Sequence, residues 1–145
     1  MMSKIYSDKI VKYAANIPFQ TPLDAPDAFA SRRSNFCGSH IKIFVNFSQG
    51  KVVKFGQTID ACALGSAASA IVCEYIIGAT IDEIIQTQIE TKNMLAFAAE
   101  PPSGRFAELG ILNSVKDMPN RHASTMLILD ALVDAIKQME QNNDR

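Results

Sequence analysis

The sequence predicts an α+β fold, a small antiparallel β-sheet of about three strands packed against helices, and three observations predict it. Ile41, Ile43, Val45 and Phe47 recur with a period of two, the mark of a half-buried strand. After the turn offered by Gly50, Val52, Val53 and Phe55 lead a second strand towards Ile59, near enough for an antiparallel hairpin. Beyond Cys62 the texture turns helical, and strands grouped ahead of helices place the helices over a small sheet.

The elements follow in order. Ser3 to Asn16 carries Ile5, Ile10, Val11 and Ala14 near helical spacing, and Pro18 disfavours helical geometry in the residue before it. An amphipathic opening helix is expected there. Pro18 to Arg33, with Pro22 and Pro26 among Thr21, Asp24 and Asp27, reads as an extended arm or irregular loop. The hairpin comes next. Cys62 to Ile77 is rich in Ala, Ser and Gly, small residues that let a buried helix approach its neighbours closely, and Gly78 can end it. Thr80 with Glu83 forms a capping box that starts a helix towards Phe97, which Pro101 and Pro102 stop. A helical stretch from Arg105 to Val115 precedes a last helix introduced by Pro119 and Asn120.

At 145 residues and 48% hydrophobic composition, residues 1–145 are expected to form one domain. Lys plus Arg number 14 against 15 Asp plus Glu, a net charge of −1 that argues against blanket attraction to nucleic acid or anionic lipid. Met1 to Lys12 lacks the apolar stretch of a secretory signal, and the run Ala61 to Cys73 is interrupted and shorter than the roughly 20 residues needed to span a bilayer. A soluble, cytoplasmic protein without nucleic-acid or membrane partners is the expectation. In that reducing setting cysteines serve as buried side chains, nucleophiles or metal ligands, not as crosslinks.

The sequence holds three cysteines, of which two are candidates for chemistry. Cys37 stands in Phe36-Cys37-Gly38-Ser39-His40 at the mouth of the first strand. Cys62 follows the second strand and, if Asp60 caps the next helix, lies in its first turn, where unpaired amides favour a thiolate. Cys73 falls mid-helix and reads as a small buried hydrophobe. The hairpin would bring Cys37 and Cys62 to one edge of the sheet, and convergent soft donors are what a metal or iron–sulfur site needs. His40 and His122 read as ordinary solvated or core side chains, with His122 also a candidate ligand or proton donor. Arg105 and Arg121 are surface charges or anion stabilisers. No Gly-x-x-x-x-Gly-Lys phosphate cradle occurs.

Cys37-Gly38-Ser39, an alternating strand, a Gly-Lys turn, a second strand, and Cys62-Ala63-Leu64 opening a small-residue helix resemble the IscU/NifU/SufU family of iron–sulfur cluster assembly scaffolds. The resemblance runs from about Ser3 to Ile136, and Glu108 to Val115 with Pro119-Asn120-Arg121 is most similar to the SufU branch. It implies a SufE/NifU-like fold and a carrier, not an enzyme. Cys37 and Cys62 match the family's first two cysteine ligands and persulfide acceptors, with Cys62 the foremost acceptor. Ser39 stands where the family has an aspartate, and Ser124 where it has a third cysteine. A hydroxyl is a poorer ligand than a thiolate, so a four-ligand site would need His122, His40 or an exogenous group.

By that resemblance the cargo is an iron–sulfur cluster, [2Fe-2S] and labile, with zinc as the alternative metal. The implied partners are a cysteine desulfurase and cluster-acceptor proteins. Two other readings stay open: a SufE-like persulfide acceptor that needs Cys62 alone, and a non-catalytic interaction module holding zinc or nothing.

Overall fold

The computed structural model describes residues 7–35 and 38–143. Helix α1, Asp8–Ala15, starts at Ser7, whose hydroxyl accepts from the Ile10 amide. The chain then runs extended to strand β1, Ala28–Arg33, followed by β2, His40–Ser48, and β3, Lys51–Asp60. The three form one antiparallel sheet in the order β1-β2-β3. Helices α2, Ala63–Tyr75, and α3, Ile81–Phe97, come next. A succession of 3-10 turns over Gly104–Asp117, a short turn at Pro119–Arg121, α4 at His122–Thr125 and α5 at Leu127–Asn143 complete the chain.

The period of two sorts the sheet's faces. Ile41, Ile43 and Val45 of β2 are at most 1% exposed and face the helices, together with Ala28 and Ala30 of β1 and Phe55 of β3. Behind them α2 supplies Leu64, Ala67, Ala68, Ile71 and Val72, and α5 supplies Leu129, Leu132 and Ile136, all in one continuous core. Small residues in α2 keep it close to its neighbours: ten of its thirteen residues, Leu64 to Cys73 without a break, are buried.

Several boundaries depart from the expectation. The arm before β2 is irregular only as far as Asp27; Ala28–Arg33 pairs residue by residue with β2, from Ala28 opposite Val45 to Arg33 opposite His40. Pairing, not local propensity, makes this strand. Helix α2 ends at Tyr75, ahead of Gly78, and the predicted opening helix is described from Asp8. The stretch expected as a helix over Arg105–Val115 is a series of 3-10 turns interrupted at Phe106. The last helix is two pieces, with Met126 between α4 and α5. The Thr80–Glu83 capping box forms as expected, each partner bonding the other's backbone amide at 3.0 Å. Among the described residues no helix is long and apolar enough to cross a membrane.

Candidate functional site

The carboxyl end of β3 delivers Cys62 to the head of α2. Cys62 is itself the N-cap, extended at φ −63° and ψ 170°, so the expectation that Asp60 caps this helix is corrected. A thiol makes no cap hydrogen bond here; a second chain segment supplies the polar contact instead. The Cys62 amide donates to Ser39 Oγ at 3.0 Å, across the end of the β2–β3 hairpin. Ser39 is 3% exposed, and Cys62 is half-buried. A hydroxyl 23 positions away therefore holds the backbone of the cysteine that opens α2.

From the other side α4 brings Ser124. The Cys62 thiol lies 3.4 Å from Ser124 Oγ, and that hydroxyl donates onward to the Arg121 carbonyl at 3.1 Å. Thr125 Oγ1 donates to the same carbonyl at 2.9 Å. With its proton spent on Arg121, the Ser124 oxygen presents lone pairs to the thiol, which serves as donor. Gly65 makes the approach possible. A Cβ at that position would lie 2.9 Å from the Ser124 carbonyl oxygen, closer than side-chain carbons come, so only glycine lets α4 sit on the first turn of α2.

The candidate residues are thus partly gathered. Ser39, Cys62 and Ser124 meet. Cys37 lies outside the described residues. His122, at the start of α4, directs Nε2 to the carbonyls of Val115 and Lys116 at 3.0 and 3.2 Å, which leaves Nδ1 as its available ring nitrogen. With Asp130 and Lys92 it lines a cavity of about 230 Å³ that does not include Cys62. Burial pushes the Asp130 carboxyl up, against the hydrogen bond it accepts from Gln88 at 3.0 Å. His40 pairs with Asp60 across the hairpin, and among the described residues its buried Nδ1 has no hydrogen-bond partner. Among the described residues no three His, Cys, Asp or Glu side chains come together as a metal cluster. The described donors are one thiol and two hydroxyls, so they do not by themselves form a complete ligand set.

Cys73 is core, as its mid-helix position implied. It is 2% exposed, accepts from Gln57 Nε2 at 3.0 Å, and burial raises its thiol pKa to about 12. The same Gln57 side chain donates to the Pro18 carbonyl and accepts from Ser69 Oγ at 2.6 Å. Neither this network nor the Ser39 contact has a local signature, because each joins residues from separate elements.

No family model matches the chain. A curated relative, the iron–sulfur cluster assembly scaffold protein IscU of Thermotoga maritima, is 23% identical over 137 residues, covering 94% of this chain and 96% of that protein. A solved structure, a proposed iron–sulfur cluster assembly scaffold protein for the SUF system from Fervidobacterium islandicum, shares the fold with a TM-score of 0.84 at 22% identity, over 93% of this chain and 98% of that one. The NifU-like protein (N-terminal part) of Brucella abortus, described as nitrogen-fixing, superposes with a TM-score of 0.94 at 36% identity over 97% of both chains. With that identity across nearly its whole length, the chain belongs to the IscU/NifU/SufU family.

Proposed function

We propose that this chain, acting as one domain, is an iron–sulfur cluster assembly scaffold in which Cys62 receives sulfur and Cys62 with Cys37 holds the nascent cluster. The observation that carries the reading is the meeting of positions 39, 62 and 124 at the head of α2, with the Cys62 thiol 3.4 Å from Ser124 Oγ. Its relatives in Thermotoga and Fervidobacterium bear scaffold names, which supports the same role.

The sulfur step is an exchange. The Cys62 thiolate attacks the terminal sulfur of a persulfide on a cysteine desulfurase, the donor's S–S bond breaks, and the donor cysteine leaves as thiolate. A two-electron reductant, two equivalents of free thiol that leave as a disulfide, takes the outer sulfur of that persulfide to sulfide and returns the Cys62 thiolate, and iron joins as cargo. With hydroxyls at 39 and 124, two thiolates carry the cluster, and two further donors, His122 through Nδ1 and an exogenous ligand, complete the four. A cluster so held, of the [2Fe-2S] type, is labile and passes readily to an acceptor protein in the cytoplasm.

The test is anaerobic incubation with iron, cysteine and a desulfurase, reading absorption, bound iron and persulfide for the wild type, Cys37→Ser, Cys62→Ser and His122→Ala. The scaffold reading expects iron and sulfide on the wild type and neither on Cys62→Ser. Persulfide on Cys62 without iron would replace it with a SufE-like sulfur acceptor. Zinc retained in place of iron, with no persulfide, would make the chain an interaction module.

A further inference from the structure

The two edges of the sheet are finished differently. On β3 the chain closes its own edge: the Gln57 amide donates to the Phe19 carbonyl at 2.9 Å, the Val52 amide to Ala79 at 2.9 Å, and Gly78 to the Val52 carbonyl at 2.8 Å. Among the described residues nothing does this for β1. The Ser34 amide donates to the Ser39 carbonyl at 2.7 Å, and by antiparallel alternation from that pair the backbone groups of Phe29, Ser31 and Arg33 point away from β2. Among the described residues these groups have no partner, and all three residues are exposed.

The side chains along this edge are selective. Phe29, Ser31 and Arg33 share the sheet face that the helices leave open, whereas Arg32 turns the other way and pairs with Asp134 of α5 at 2.6 Å. Phe29 is 51% exposed. Lys42, next to it on β2, is held with its ammonium 5.6 Å from the Phe29 ring centre and 5.4 Å from that of Phe44. Neither Arg33 nor Lys42 has a carboxylate partner among the described residues. The one carboxylate among the strand residues of that face, Asp60, lies two strands away on β3. A protein with net charge −1 thus collects two unpaired cations beside an open strand edge.

We infer that the free edge of β1 docks an extended acidic segment of a partner protein, which adds a strand against Phe29, Ser31 and Arg33. Backbone pairing supplies the fit, and alternating acidic side chains meet Arg33 and Lys42. A segment of alternating acidic and apolar residues has the right chemistry. The surface uses none of the thiols of the proposed cluster site.

The probe is a fluorescein-labelled peptide of about eight residues, alternating valine and glutamate, titrated with the full chain by fluorescence anisotropy. Saturable binding is expected, weakened roughly tenfold or more by Arg33→Glu and left within about twofold by Lys12→Glu, the same charge change on α1. A peptide of equal charge with proline at alternate positions should lose binding as well, since proline cannot donate to the ladder. That arm does not depend on how any protein variant folds. Equal binding of the proline peptide, equal loss in both charge variants, or no saturable binding would overturn the proposal. So would a dimer of the wild type, seen by sedimentation, that Arg33→Glu dissolves, because a second copy would then be the occupant.

Discussion

Two cysteines on one helix, eleven positions apart, have been given opposite surroundings. Cys62 caps α2 where three chain segments meet; its amide is held by Ser39, and its thiol is half-buried beside a hydroxyl. Cys73, three turns on, is 2% exposed, accepts a hydrogen bond from Gln57 and keeps its proton up to about pH 12. The same side chain is half-buried beside a hydroxyl at a helix terminus and a packing unit in its middle. What separates them is the environment that their neighbours build, not the helix that carries them.

The sharpest way to break this contrast is sulfur transfer. Cys62→Ser should lower persulfide formation by about 100-fold or more, read by mass spectrometry, while Cys73→Ser leaves it unchanged; transfer to Cys73 would erase the distinction. Thiol labelling is the next largest effect. At pH 7 a thiol with pKa about 12 is thiolate in roughly one molecule in 10⁵, so Cys73 should react with iodoacetamide slowly in the native protein and readily once the chain is unfolded.

Stability gives smaller effects. Cys73→Ala removes a packed sulfur and strands the Gln57 donor, and should cost about 1–3 kcal/mol in denaturant unfolding. The sign of its pH dependence follows from the raised pKa: below about pH 9 both states hold the proton and the contribution is full. Between about 9 and about 12 the unfolded chain loses its proton first, so stability falls as pH rises, and the Cys73→Ala variant should show less of that alkaline loss. Ser39→Ala is the mildest, about 1 kcal/mol, through the loss of the acceptor for the Cys62 amide; Ser39→Thr should restore it.

Much of the scaffold was legible in the sequence because its signals are local. The alternation from Ile41 to Phe47 and the Thr80–Glu83 box each lie within a few residues, and both appear where expected. Strand β1 was not legible: Ala-Phe-Ala-Ser-Arg-Arg lacks β-branched residues and follows prolines, and it becomes a strand through its pairing with β2. The site was half legible. Cys62 stood out by its place before a small-residue helix, but its acceptor Ser39 lies across the hairpin and its neighbour Ser124 is 62 positions on. Gly65 carried a readable trace, a glycine in the first turn of a helix, although nothing local says that α4 rests on it.

The interruption at Met126 has a consequence for how such a site changes over time. Residue 124 sits on a four-residue helix, fastened at Arg121 and against Gly65, while α5 follows from Leu127 with its own buried stripe. Because residue 124 lies a turn ahead of the buried stripe of α5, the atom offered to Cys62 can be exchanged, hydroxyl for thiol, without asking the core of α5 to repack. The fold keeps position 124 as a replaceable part, and the chemistry beside Cys62 can drift while the architecture stays still.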